Sequence, residues 1–288
     1  MSAEKAAPVK RIGFAYNPTI AAASALRERA TAWVSARGLE SWAVPAADKE
    51  DLHRELPGSD VLVVLGGDGT FLRAARAVIE DDVPLLGINV GKVGFLSKVE
   101  AEALERVLGQ LADGEFSIEE RMALEGRVNR ADGDATDVGR LLALNDVVVA
   151  RGSLARVVRL EVSIDASHLA TFIADGLVVA SPTGSTGYSF SAGGPILDPT
   201  ARNLVVTPIA GYLTTIRSVV VGPSVVVSCR ILDAHEALVS IDGREDLPLA
   251  VGDVVEVRAI ERPIRLVEPD GSVPFWDLLR HKAQLLPS

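Results

Sequence analysis

A single cysteine, Cys229, occurs in the 288 residues, so the chain can form no internal disulfide and its fold must stand on its core. Cys229 closes the apolar run Val225-Val-Val-Ser-Cys229, where a buried, unreactive thiol is expected. Histidine is nearly as scarce. His53, His168, His235 and His281 are scattered without metal-ligand spacing, so no structural zinc site and no protein-ligated metal is expected. No run approaches the ~20 apolar residues of a membrane helix, and the stretch from Met1 to Arg11 lacks an apolar signal core. A cytoplasmic address without a membrane partner is the expectation. Basic residues are outnumbered, 29 Lys and Arg against 39 Asp and Glu, and the resulting net charge of -10 argues against a general nucleic-acid binder. A small polyanion remains compatible with that charge, because helix N-termini and a few arginines suffice to hold one. Arg151, Arg156 and Arg159 form such a local basic group.

At 288 residues, 48% hydrophobic and 24% charged, the chain has ordinary globular composition and exceeds the usual single-domain length. Strand and helix patterns alternate over residues 11 to 113. Strands are expected at Ile12 to Tyr16, Ser41 to Val44, Val61 to Leu65 and Pro84 to Asn89. Helices are expected near Ala21 to Ala36, Asp48 to Leu56, after Thr70, and at Ala101 to Leu111. Right-handed crossovers make this a Rossmann-like parallel sheet with loops gathered at the strand C-termini. After Phe116 short β-rich runs dominate, among them Met122 to Val128, Leu141 to Ala150 and Val225 to Leu232. The expected fold is therefore an α/β N-terminal domain plus a predominantly β C-terminal domain. The first comprises residues 1–116 with 265–288, the second 117–264, and an amphipathic helix from Phe275 to Leu285 packs back on the first. A ligand site between two such domains is the usual place to look.

The run Val61-Leu-Val-Val-Leu-Gly-Gly-Asp-Gly-Thr70 places Asp68 on a glycine turn between a buried strand and a helix. Unpaired N–H groups at a helix start attract anions, and Gly66, Gly67 and Gly69 let a ligand approach the main chain. The plain alternative is a tight turn with Thr70 as an ordinary N-cap. No Lys-Ser/Thr pair completes a P-loop, and Gly-x-Gly-x-x-Gly spacing is absent from this loop. A second cluster, Asp175-Gly through Thr183-Gly-Ser-Thr-Gly-Tyr188 to Gly193-Gly-Pro195, carries hydroxyls, main-chain amides and an aromatic ring able to bind a purine and ribose. Asn145-Asp146 sets an amide beside an acid; a strand-edge turn is the alternative there.

Taken in order, Gly66-Gly-Asp-Gly-Thr70, Gly87-Ile-Asn-Val-Gly-Lys-Val-Gly-Phe-Leu96, Asn145-Asp146 and Thr183-Gly-Ser-Thr-Gly-Tyr188 closely resemble the NAD kinases. The glycine-aspartate turn is shared with diacylglycerol and sphingosine kinases and phosphofructokinases; the Thr-Gly-Ser-Thr element is the specific half. The resemblance implies transfer of a phosphoryl group from ATP or polyphosphate to NAD. It also implies Mg²⁺ or another divalent cation arriving with the donor phosphates, and a homodimer or homotetramer. Carried over, Asp68 faces the adenosine ribose 2′-hydroxyl, with Gly67, Gly69 and Thr70 near phosphate oxygens. Asn89 and Phe95 line the N-domain wall, Asn145 and Asp146 hold ribose hydroxyls, and Asp175 meets the nicotinamide end. Thr183, Thr186, Gly187 and Tyr188 surround adenine and its ribose, while Gly66 and Lys92 serve the donor. Departures are Asp146 where the family usually has Glu, Gly187 where it has Ala, and the segment Thr207 to Ser218, which lacks the family's Pro-His pair. That last change bears on the choice between NAD and NADH. The rivals are a lipid or sugar-phosphate kinase of the same superfamily and a non-catalytic dinucleotide-binding regulator.

Overall fold

The computed structural model describes residues 7–91, 94–133, 140–153, 156–212 and 214–284. Contacts divide the chain into Met1–Glu120 with Ile264–Ser288, and Arg121–Pro263, against expected limits at 116 and 264. The first unit runs β1 (Arg11–Tyr16), α1 (Ala21–Ala36), β2 (Glu40–Pro45), α2 (Lys49–Glu55), β3 (Val61–Leu65), α3 (Asp68–Asp81), β4 (Leu85–Asn89), β5 (Val99–Glu100), α4 (Leu104–Asp113) and β6 (Phe116–Arg121). The second contains β7 (Leu124–Asn129), β8 (Leu141–Ala143), β9 (Asp146–Arg151), β10 (Val158–Ile164), β11 (Ser167–Ala174), β12 (Gly176–Ala180), α5 (Tyr188–Ser191), β13 (Leu204–Ile209), β14 (Val219–Val221), β15 (Val227–Asp233), β16 (Ala237–Ile241), β17 (Arg244–Leu249) and β18 (Val254–Ala259). The chain then returns to the first unit with β19 (Ile264–Pro269) and α6 (Phe275–Gln284).

In the first unit the sheet order is β2-β1-β3-β4-β19-β6, with β5 beside β4. The pairs β1–β2, β1–β3, β3–β4 and β4–β19 are parallel. Every residue of β3 and β4 is buried. Helices cover both faces of such strands, which is why Val61 to Leu65 is continuously apolar rather than alternating. Helix α1 buries Ala23, Leu26, Ala30 and Val34, one stripe at helical spacing. Helix α4 buries Leu104, Val107, Leu108 and Leu111 and ends on Gly114 in the left-handed region.

The second unit is two antiparallel six-stranded sheets, β11-β10-β15-β18-β7-β8 and β14-β13-β12-β9-β16-β17. Their inner faces share one core, with Leu160, Val162, Val255 and Val257 from the first sheet and Val147, Val149, Val179 and Val239 from the second. On β9, Val148 alternates to the outer face, where it joins Val178, Ala180 and Val205 in a separate cluster. The expected single run Leu141 to Ala150 is broken into β8 and β9. Asp242 takes the N–H groups of Leu144 and Asn145 at that point, so they cannot continue a ladder. Strands β5, β6, β11, β17 and β19 were not anticipated: β5 is two residues long, and Phe116–Arg121 is rich in charge. Arg244–Leu249 and Ile264–Pro269 mix charge with proline, and Ser167–Ala174 opens on Ser-His and lacks a clean alternation.

No helix among the described residues is long and apolar enough to cross a membrane. Cys229 is 2% exposed in the shared core, and burial pushes its thiol pKa up to about 12. An aromatic disulfide reagent should therefore titrate no thiol in the native protein and one after denaturation; rapid reaction without denaturant would show that the strand placement is wrong.

Candidate functional site

In the first unit the glycine turn caps α3 earlier than expected. Gly67 is the N-cap and Asp68 the first helical residue, so Thr70 lies inside the first turn and is not the cap. The adjacent glycines have different reasons. A Cβ on Gly66 would stand 2.7 Å from Thr70 Oγ1, whereas one on Gly67 would meet nothing within 4 Å. Gly66 therefore answers to packing under the buried Thr70, and the open flank at Gly67 leaves room for an approach to the main chain. Gly69 is exposed beside it.

The half-buried carboxylate of Asp68 accepts three consecutive main-chain hydrogen bonds from the segment after β4. Phe95 N donates to Oδ2 at 2.9 Å, and Leu96 N and Ser97 N both donate to Oδ1 at 3.1 Å. Its charge is met by amides and by the N-terminal end of α3. Oδ2 keeps a lone pair beyond the Phe95 bond. The approach of the two segments is close enough that a Cβ on Gly94 would fall 1.9 Å from Asp68 Oδ1. Asn89, 3% exposed, accepts from Gly91 N at 2.8 Å and shapes the turn leaving β4. Lys92 lies outside the described residues.

In the second unit the two remaining clusters meet. Ser181 N donates to Asn145 O at 2.8 Å and Ser181 Oγ to Leu144 O at 2.5 Å. The turn Thr183–Thr186 then lies so close to Asn145 that a Cβ on Gly184 would stand 2.1 Å from its carbonyl oxygen. A Cβ on Gly187 would lie 3.9 Å from both Asn145 Nδ2 and Asp146 Oδ2, and 3.3 Å from Gly184 O. Alanine there is nearly accommodated. A cavity of about 430 Å³ opens beside this junction, lined by Asn145, Asp146, Arg151, Tyr188, Ser240 and Asp242 among others. Tyr188 is 47% exposed, so its ring is free to stack.

Asp175 is not a wall of that cavity. It is gripped by Arg151, with Nε 2.8 Å from Oδ1 and Nη2 3.2 Å from Oδ2, while Arg151 Nη1 donates to Ser153 O. Of the expected basic group, Arg151 stands on β9 and is engaged by Asp175, and Arg159 stands on β10 opposite Ile173 of β11. Thr183 is buried and takes a 3.2 Å bond from the buried Arg121, and Thr186 Oγ1 donates to Thr183 O. Two contributors escaped the sequence reading. Arg121 sits in no motif. Asp242 precedes a glycine in what reads as an ordinary hairpin turn, yet its carboxylate accepts from Leu144, Asn145 and Asp146 N at 3.1, 2.8 and 3.2 Å. Its positive φ of 50° at a non-glycine position is the structural sign of that demand.

Among the described residues no three His, Cys, Asp or Glu side chains gather as a metal cage. The buried Asp146 carboxylate accepts no such amide among the described residues. Desolvation, then the charge of Asp242, raises its pKa to about 7.

Comparison with known proteins follows the same residues. The ATP-NAD kinase N-terminal domain matches residues 43–116 and the ATP-NAD kinase C-terminal domain residues 144–269. The NAD kinase of Syntrophotalea carbinolica is 40% identical over 259 residues, 87% of this chain and 90% of that protein. That of Symbiobacterium thermophilum is 44% identical over 224 residues, 77% of this chain and 78% of that protein. The crystal structure of yeast NADH kinase complexed with NADH shares the fold with a TM-score of 0.84 at 22% identity, covering 98% of this chain and 89% of that one.

A raised Asp146 pKa has a defined sign in stability. The folded protein keeps a proton that the unfolded chain has released, so the contribution is complete below the unfolded value and lost as pH climbs to about 7. Between about pH 5 and about pH 8 the melting temperature should fall in the native sequence and fall less in Asp146→Asn. Equal slopes in the two proteins would remove the assignment.

Proposed function

The chain belongs to the NAD kinase family, and from that membership we propose which of its residues carry the reaction. It is a phosphotransferase acting on NAD. The terminal phosphoryl group goes from ATP or polyphosphate to the adenosine ribose 2′-hydroxyl, which gives up its proton; ADP, or a polyphosphate one unit shorter, is the leaving group and NADP the product. The lipid-kinase, sugar-kinase and regulator alternatives fall with the relatives' identities.

The reading of the site rests on one observation, the Asp68 carboxylate held by three amides beside the open main chain of Gly67. Transfer through a loose transition state depends on positioning and charge neutralisation. Asp68 orients the acceptor hydroxyl through the remaining lone pair of Oδ2 and takes its proton late in the reaction. Gly67, Gly69 and the start of α3 present N–H groups to phosphate oxygens. Asn145 and Asp146 hold ribose hydroxyls; Asp146, neutral below about pH 7, can donate as well as accept. Tyr188 stacks on adenine, Thr183 and Thr186 shape its turn, and Asp175, fixed by Arg151, serves the nicotinamide end.

Mg²⁺ suits this donor set as an ion carried on the donor's phosphates, since it keeps waters and needs few protein carboxylates. When bound it neutralises charge on the transferred group. The enzyme works in the cytoplasm as a homodimer or homotetramer, and the exposed β14 edge, with Val220 46% exposed, is the kind of edge that pairs with a copy.

Asp68→Asn should lower turnover by about 10² to 10⁴ while NAD still binds by calorimetry; full turnover in that variant would disprove the role. NADP formation followed with ATP should stop on addition of excess EDTA and resume with Mg²⁺. The same assay with polyphosphate, and with NADH as acceptor, identifies the donor and the preferred redox state; activity persisting in EDTA would remove the divalent ion.

A further inference from the structure

The three amides that hold Asp68 are anchored differently. Leu96 and Ser97, which bind Oδ1, have side chains 6% and 0% exposed, fixed in the interior of the first unit. Phe95 makes the single described bond to Oδ2, and its own side chain is only half-buried. Helix α6 holds that ring. Phe275 lies with its centroid 5.9 Å from that of Phe95 at an interplanar angle of 43°, and Lys282 Nζ stands 4.9 Å over the Phe95 ring. Phe275 and Lys282 are two helical turns apart and share a face, with the buried Leu278 between them. The face of α6 that meets the first unit thus meets it partly through the residue whose amide sets Oδ2.

We propose that Phe275 is a positioning residue for phosphoryl transfer, acting through the Phe95 ring to fix Oδ2 of Asp68. The inference rests on the reading of Asp68 as the group that addresses the acceptor hydroxyl. Oδ1 is set by the core of the unit and Oδ2 by the C-terminal helix. A carboxylate with one oxygen released still carries its charge but rotates about its Cβ–Cγ bond, and loses the alignment that a near-attack geometry requires. Ligand binding carried by Asn145, Asp146 and Tyr188 in the second unit is left intact.

The test uses the full chain carrying Phe275→Ala, Phe275→Tyr or Asp68→Ala, with steady-state kinetics on NAD and ATP and amide hydrogen exchange. Phe275→Ala should lower kcat about tenfold to a hundredfold with little change in either KM. It should also speed exchange at Phe95 more than at Leu96, Ser97 or strands β3 and β4. Phe275→Tyr, which keeps the ring, should restore most of kcat. A raised KM with normal kcat would make α6 a wall of the nucleotide site, and faster exchange throughout β3 and β4 would make it merely structural; either overturns the proposal. So does an unchanged kcat in Phe275→Ala when Asp68→Ala is inactive. Full turnover in Asp68→Ala strikes instead at the reading of Asp68 itself.

Discussion

An aspartate answered by three successive main-chain N–H groups is the constraint on which the candidate-site loops of both units depend. Asp68 takes the amides of Phe95, Leu96 and Ser97, and Asp242 those of Leu144, Asn145 and Asp146. Each bond of an ionised acceptor to an amide contributes roughly 1.5 to 3 kcal/mol. More important for function, three donors in a row fix both oxygens and the run of backbone together. A loop without regular secondary structure thereby acquires the definition of a strand end.

Such contacts require empty space. Gly94 and Gly184 sit where a methyl group would reach Asp68 Oδ1 or the Asn145 carbonyl oxygen, at 1.9 and 2.1 Å. These glycines let the segments touch; they are not swivels. Gly66 belongs with them, and Gly67 does not, so one Gly-Gly pair divides between architecture and access. In a chain so rich in glycine around its motifs, the close approaches separate the two uses.

Another acid, on the wall of the second unit's cavity, is the contrast. Asp146 occupies a buried strand start with Asp242 nearby, and instead of amides it has desolvation, which favours the protonated form. Two aspartates adjacent in space, both lining the cavity, therefore differ in what surrounds them: the Asp242 carboxylate organises the backbone turn, and that of Asp146 is held by burial. The same side-chain chemistry meets backbone amides in one case and a desolvated pocket wall in the other.

The parallel unit was legible because its signals are local: the uniform run Val61 to Leu65, the stripe of α1, the Leu and Val spacing of α4. The motifs around Asp68, Asn145 and Thr183 were legible because glycine and hydroxyl residues cluster without a linker's blandness. Arg121, Asp242 and the Arg151–Asp175 pair were not, since each acts on partners distant in the chain and none has an unusual neighbourhood. Strand β19 escaped for a related reason, its place beside β4 being set by a sheet built from residues far upstream. By itself the sequence determined periodicity, hence the two kinds of unit, and the residue types that phosphoryl transfer to a dinucleotide requires. Tertiary structure alone decided which amides meet which carboxylate and which glycine is packed or open. The reason is that hydrogen bonds and excluded volume act over a few ångströms of space, and separations of 28 or 97 residues along the chain carry no trace of them.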